Sequence, residues 1–303
     1  MRISITNGVR LVRLLLVYFV AALVAGAAEK PVVFVSIPPQ AWLVKRLAGE
    51  AVEVQTLLTA GANPHTFEPG ARQVKKLSDA SLYLTLGMPF EAPLVGRAGK
   101  LNPALKVIGM DAGIVKLGAA HHGHASDADH DHDGCCAAGG DPHIWLSPRL
   151  FAAMASNTVA ALTRILPGQT KALGANLEKT VAEIGATDRA VRDAVQKMTV
   201  KTWVAYHPSW SYFAADYGLS LLVIEEDGKA PAARHLVDVI GQAKAAGVSA
   251  VFAEPQYDKR PAQTLAAAVG ARLETIDPLR EDWAMTLREV AEKLTGSGKA
   301  VSR

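Results

Sequence analysis

Apolar positions along the chain fall into two kinds of run. From Lys30 onward, short stretches of Val, Leu and Ile alternate with longer segments whose apolar residues recur every three or four positions. Short runs of this kind read as strands buried on both faces and the periodic segments as amphipathic helices, so the alternation predicts parallel strands joined by crossover helices. The expected strands are Val32 to Ile37, Val52 to Leu58, Leu82 to Leu86 and Leu105 to Met110, then Thr202 to Tyr206, Leu219 to Ile224, Val248 to Ala253 and Arg272 to Ile276. The expected fold class is therefore α/β, with two lobes, each a mostly parallel sheet flanked by helices.

Between the two sets, Ser147-Pro148 offers a helix cap followed by proline at the first helical position. It opens a periodic helix through Met154, Val159, Leu162 and Ile165 that Pro167-Gly168 ends. A longer pattern then runs from about Gln169 to Met198, with Leu173, Leu177, Val181, Ile184, Val191, Val195 and Met198 spaced by threes and fours. A helix of that length spans ~45 Å, more than a small lobe needs, and reads as a rod joining two lobes. The expected division is 1–28 leader, 29–166 first lobe, 167–199 interlobe helix and 200–303 second lobe.

Two segments break the pattern. The first carries Arg2, Arg10 and Arg13 ahead of an apolar run from Leu14 to Ala28 that ends in small residues. That run is shorter than the ~20 residues a spanning helix needs, and its Ala-x-Ala ending suits a cleavable signal peptide, hence export to the periplasm. The second break lies at 119–140, where His121, His122, His124, His130 and His132 interleave with Asp127, Asp129, Asp131 and Asp133 before Gly and Ala. Such a stretch buries too little apolar surface to offset the entropy of ordering it, so a flexible loop is expected.

Composition removes several function classes. The formal charge of +3 belongs to the leader, whose three arginines face no acid, so the remainder is neutral. Neither a basic stripe nor a polybasic run is present there, and nucleic acid is not an expected partner. The two cysteines, Cys135 and Cys136, are adjacent and close no useful loop, which rules out a disulfide framework.

The candidate chemistry sits where a parallel sheet would bring it together. Ligands of such sheets bind beyond the carboxyl ends of the strands. His65, in Asn63-Pro64-His65, follows the second strand, and His207 ends the Thr202 to Tyr206 strand. Glu254 ends the Val248 to Ala253 strand and Asp277 the Arg272 to Ile276 strand. His143 stands in Asp141-Pro142-His143. Neutral imidazole is the commonest side-chain zinc ligand, so the three histidines form a candidate metal set. Each admits a plainer reading: a capping or solvated residue for His65, a hydrogen-bonded core residue for His143 or His207. Asp277 and Glu254 could be turn formers or helix caps, a common fate of acids before proline. His235, inside a helical pattern, is expected at the surface.

Several multi-residue segments in order carry a resemblance. Leu57 to Pro69 with its Asn-Pro-His, Asp141-Pro-His-Ile-Trp-Leu-Ser-Pro148, Tyr206-His-Pro-Ser-Trp210, Phe252-Ala-Glu-Pro-Gln256 and Asp277-Pro-Leu279 resemble the metal-specific solute-binding proteins of bacterial ABC uptake systems. Within that family the chain is most similar to the zinc-uptake branch with a His-rich loop. The resemblance implies two lobes, an interlobe helix and one Zn(II) bound as cargo in the cleft by His65, His143, His207 and Asp277. It further implies a monomer, not an enzyme, that delivers to an ABC permease and its ATPase. Manganese-type members tend to carry a carboxylate where this chain has His207, and imidazole itself suits zinc. Some zinc members carry a carboxylate where Pro64 stands, which leaves the fourth position to Asp277 or water. Glu254 is expected to accept the other ring N–H of a ligand histidine and so fix its tautomer. The loop histidines 121, 122, 124, 130 and 132 would be auxiliary ligands. Rival readings are a manganese or iron receptor of the same family, a zinc buffer or chaperone working through the loop, and a zinc hydrolase with Glu254 as general base. No His-Glu-x-x-His signature supports the last.

Overall fold

The computed structural model describes residues 29–59, 61–118, 140–226 and 228–296. The expected signal peptide, the five loop histidines and the Cys135-Cys136 pair lie outside the described residues.

Among the described residues, eight strands form two four-stranded sheets, every strand pairing parallel. The first sheet holds β1 (Val32–Val35), β2 (Glu53–Thr56), β3 (Leu82–Thr85) and β4 (Lys106–Gly109) in the order β2-β1-β3-β4. The second holds β5 (Thr202–Ala205), β6 (Ser220–Val223), β7 (Ala250–Ala253) and β8 (Arg272–Thr275) in the matching order β6-β5-β7-β8. Each lobe thus reverses strand order beside its first strand, the place where such sheets open a crevice.

All eight expected strands are present but shorter than their apolar runs. Leu57 and Leu58, assigned to the second strand by pattern, still donate backbone bonds to Val35 and Ser36 at 3.0 Å. They lie past the paired segment, where the chain turns toward His65. Hydrophobicity marked burial there, whereas pairing ends where the sheet does.

The crossover helices of the first lobe are α1 (Pro38–Ala48), α2 (Ala71–Ser78) and α3 (Glu91–Leu101). Then come α4 (Pro148–Thr163), the long α5 (Thr170–Gln196) and, in the second lobe, α6 (Ser211–Tyr217), α7 (Ala233–Ala245), α8 (Arg260–Val269) and α9 (Trp283–Thr295). Helix α4 starts as expected: Ser147 Oγ accepts the Leu150 N–H at 3.3 Å and Pro148 follows it. At 27 residues, α5 is ~40 Å long. It is tied to the first lobe by Asn176 Nδ2, which donates to Leu47 O at 2.9 Å, and to α9 by Arg288 Nη2, which donates to Thr187 Oγ1 at 3.1 Å. No helix among the described residues is long and apolar enough to cross a membrane.

The two faces of the second sheet have different neighbours. Trp203, Ala205, Ala250 and Phe252 join a core continuous with the first lobe. Val204, Tyr206, Val251 and Ala253 face a separate cluster that includes Val239 and Ala243 of α7 and Leu265 of α8. This period-2 division along β5 and β7 is what buries both faces of a parallel sheet. An aromatic cluster bridges the lobes: Phe151 of α4 stacks on Trp283 of α9 with centroids 4.4 Å apart, and Trp42 of α1 lies 5.7 Å from Trp283. Trp145 Nε1 donates to Pro278 O at 2.8 Å, and Trp283 Nε1 donates to Trp145 O at 2.6 Å.

Candidate metal centre

Three segments from distant parts of the chain reach the cleft between the sheets. His65 arrives in the connection after β2, His143 in the long connection after β4, and His207 directly after β5. Two of them use the same local device. Asn63 Oδ1 accepts the His65 N–H at 2.8 Å, and Asp141 Oδ1 accepts the His143 N–H at 2.9 Å. A side chain that accepts the N–H two residues on closes a tight turn, and the intervening proline pre-sets its φ. Asn-Pro-His and Asp-Pro-His are therefore turns that present an imidazole.

One nitrogen from each ring lies within 4.8 Å of the other two, the group of potential metal ligands among the described residues. His65 Nε2 and His207 Nε2 stand 3.0 Å apart. In a tetrahedral zinc site with bonds of 2.0–2.1 Å the ligand atoms are about 3.3 Å apart, so the rings need only small adjustments to hold an ion. His143 and His207 are buried, and His65 is partly so.

The outer ring atoms are held unequally. His143 Nδ1 lies 2.6 Å from Asp141 Oδ1, and His207 Nδ1 lies 2.7 Å from Glu225 Oε2. His65 Nδ1 is buried with no hydrogen-bond partner among the described residues. Burial works to raise the Asp141 carboxyl, but His143, through its charge and its ring and backbone hydrogen bonds, prevails and holds it below its ordinary value. Tyr257 stacks on the His207 ring at 5.1 Å, while Trp145 lies 5.1 Å from the His143 ring.

Two expected residues stand apart from the imidazole group. Asp277 is outside the three-histidine group; its Oδ1 accepts from Gln256 Nε2 at 2.7 Å and from the Leu279 N–H at 2.9 Å. Asp277-Pro278-Leu279 is thus a third turn of the Asx-Pro-X kind, with leucine where the others carry histidine. Glu254 does not hold the His207 ring, since Glu225 occupies Nδ1. It accepts instead the His207 backbone N–H and the Ser209 hydroxyl, the latter at 3.4 Å. Complete burial pushes its carboxyl well above the usual range, against those two donors. His235 is half-buried rather than at the open surface, with Nε2 3.3 Å from Val223 O. Glu225 was not singled out in the sequence, where it is one of three successive acids, Glu225, Glu226 and Asp227. Its signal was positional: it follows β6 just as His207 follows β5.

A cavity of about 10 Å³ adjoins the rings, lined by Pro64, His143, His207, Glu254 and Gln256 among others. That is room for about one water.

A family model described as the periplasmic zinc-uptake complex component A, ZnuA, matches residues 33–296. The chain belongs to this family. The zinc-binding protein AdcA of Streptococcus pyogenes serotype M3 is 26% identical over 246 residues, covering 78% of this chain and 48% of that protein. The chain therefore spans about half the length of these curated relatives. A crystal structure of ZnuA, 32% identical, superposes with a TM-score of 0.80 over 88% of this chain and 99% of that one. A zinc-bound deletion mutant of ZnuA, also 32% identical, gives 0.78 over 90% and 100%. These likenesses agree with the two-lobed α/β fold expected from the alternating pattern.

Proposed function

We propose that the protein is an extracytoplasmic receptor that captures Zn(II) between its lobes and delivers it to an ABC permease driven by its own ATPase. The observation that carries this reading is the convergence of three imidazoles, two of them backed by carboxylates, in the cleft between the lobes. Family membership supports it, since the family is described as a periplasmic component of a zinc-uptake complex. An all-nitrogen set of neutral imidazoles suits zinc, whereas manganese favours oxygen donors. Asp277 stands outside the imidazole group with its Oδ1 accepting two hydrogen bonds, so a water in the small adjoining cavity is the fourth donor we propose. The same cavity has no space for an ester or peptide, which weighs against a hydrolase. Export by the N-terminal leader is part of the proposal.

The test is titration of metal-free protein with zinc and manganese in competition with a chelator of known affinity. One zinc per cleft, held far more tightly than manganese, is expected; equal or tighter manganese binding would sink the reading. Protons compete for imidazole lone pairs, so affinity should fall between pH 7.5 and pH 5.

A further inference from the structure

We infer that Glu225 is a positioning residue for zinc capture: by accepting the Nδ1–H of His207 it holds that ring with its Nε2 lone pair toward the cleft before metal arrives. The inference rests on the receptor reading above. With Asp141 doing the same for His143, two ligands are preset and His65 is the one left to adapt.

The fold supplies the contact through strand register. Thr202 pairs with Ser220, Trp203 with Leu221, Val204 with Leu222 and Ala205 with Val223. The ladder continues past the strand ends, with Ile224 N donating to Ala205 O at 3.1 Å and Glu225 N to Tyr206 O at 2.9 Å. Extending that register by two residues sets Glu225 beside His207. Both are buried, at 7% and 2% exposure, so little water competes for the 2.7 Å contact. The second face of the same histidine is fixed too: its backbone N–H goes to Glu254 and Tyr257 covers its ring.

Tautomer is the chemical consequence. A neutral imidazole has one N–H and one lone pair, and a carboxylate at Nδ1 claims the N–H, leaving Nε2 as the ligand atom and more basic than before. Across the cleft, His65 Nε2 lies 3.0 Å from His207 Nε2. If His207 presents a lone pair there, His65 must be the donor. Its Nε2 proton then has to leave or move to Nδ1, which is buried with no hydrogen-bond partner among the described residues, before His65 can bind metal.

The experiment is long-range ¹H–¹⁵N NMR of the histidine rings in metal-free wild type, Glu225→Leu and Glu225→Gln, together with zinc competition titrations. Wild type should show His143 and His207 protonated on Nδ1, and His65 on Nε2. Glu225→Leu, which removes the acceptor, should move His207 toward the Nε2–H form without changing His143, and weaken zinc roughly 10- to 100-fold. Glu225→Gln, which keeps an acceptor oxygen, should retain the His207 tautomer and recover part of that loss. Finding His207 of wild type protonated on Nε2 overturns the inference without reference to any variant. So does a folded Glu225→Leu protein that binds zinc within threefold of wild type. A wild-type protein that binds no zinc defeats the receptor reading instead and leaves the ring assignments to be judged separately.

Discussion

Histidine, aspartate and asparagine before or after proline carry this site, and their roles separate only when the turn is seen. Asn63, Asp141 and Asp277 each accept the N–H two residues on, across a proline. In two cases the third residue is a histidine aimed into the cleft; in the last it is Leu279, and the aspartate expected as a ligand uses its Oδ1 in the turn. The histidines were legible only in combination, through the multi-residue segments that carry them, since each alone admits a capping or core role. Glu225 was not, because its role depends on β6 lying next to β5, a neighbour relation that local pattern does not contain. Replacement should separate ligand from turn former. His207→Ala should weaken zinc by roughly a hundredfold or more, since it removes a donor. Asp277→Asn, which can still accept the Leu279 N–H, should change affinity by less than about threefold, well below the cost of losing a ring partner. A large loss in Asp277→Asn, measured by the same chelator competition, would restore it as a ligand.

Elements are placed by burial and trimmed by electrostatics at their ends. Helix α9 shows both. Trp283, Leu287, Val290 and Ala291 bury one side against the interlobe core, while Asp282 caps its start by accepting the Met285 N–H at 3.0 Å. On its outer side Glu289 pairs with Arg280 and, at 2.6 Å, with Lys293. Partial burial works to raise the Glu289 carboxyl, and the two cations outweigh it, so its pKa is lowered. A carboxylate with a lowered folded-state pKa contributes stability that is present above its ordinary pKa near 4.5 and is lost as pH falls through the folded value. The thermal midpoint of Glu289→Gln should therefore lie below that of wild type at pH 7, by a modest amount because the pair is partly solvated, and approach it at pH 3. Identical gaps at both pH values would show that packing, not charge, is responsible. The helix after Ser147-Pro148 and the interlobe helix were readable from cap and periodicity, but strand ends were not, as Leu57 and Leu58 show: apolar residues continue past the point where pairing stops.

At the scale of the whole molecule, the continuous core and the Trp42, Phe151 and Trp283 cluster join the two lobes, so the receptor proposed here is expected to respond to metal mainly within the cleft. The residues flanking the His/Asp-rich segment meet at a neck where Asp141 N donates to Leu117 O at 2.7 Å. Tyr212 of α6 clamps the neck from the other lobe, accepting the Leu117 N–H and donating to Asp141 O, both at 2.8 Å. Removal of residues 119–139 would join Gly118 to Gly140 and give Leu117-Gly-Gly-Asp141, a four-residue turn whose closing hydrogen bond from residue i+3 to residue i already exists. Gly140 has φ +75°, a value that glycine tolerates in such turns without strain. Asp141 and His143 should then keep their places, and the shortened protein should bind one zinc within a fewfold of the wild-type affinity while losing any weaker sites that the five loop histidines provide. Loss of the tightest site on excision would instead make the insertion the primary collector, and the cleft a structural feature of a zinc buffer. Tyr212→Phe is the complementary test of the neck itself. It removes the acceptor of the partly buried Leu117 N–H and strands the buried Asp141 carbonyl, at a cost of ~1–3 kcal/mol that denaturant unfolding would register, with the zinc site unchanged only if the Asp141 backbone stays in register without its clamp.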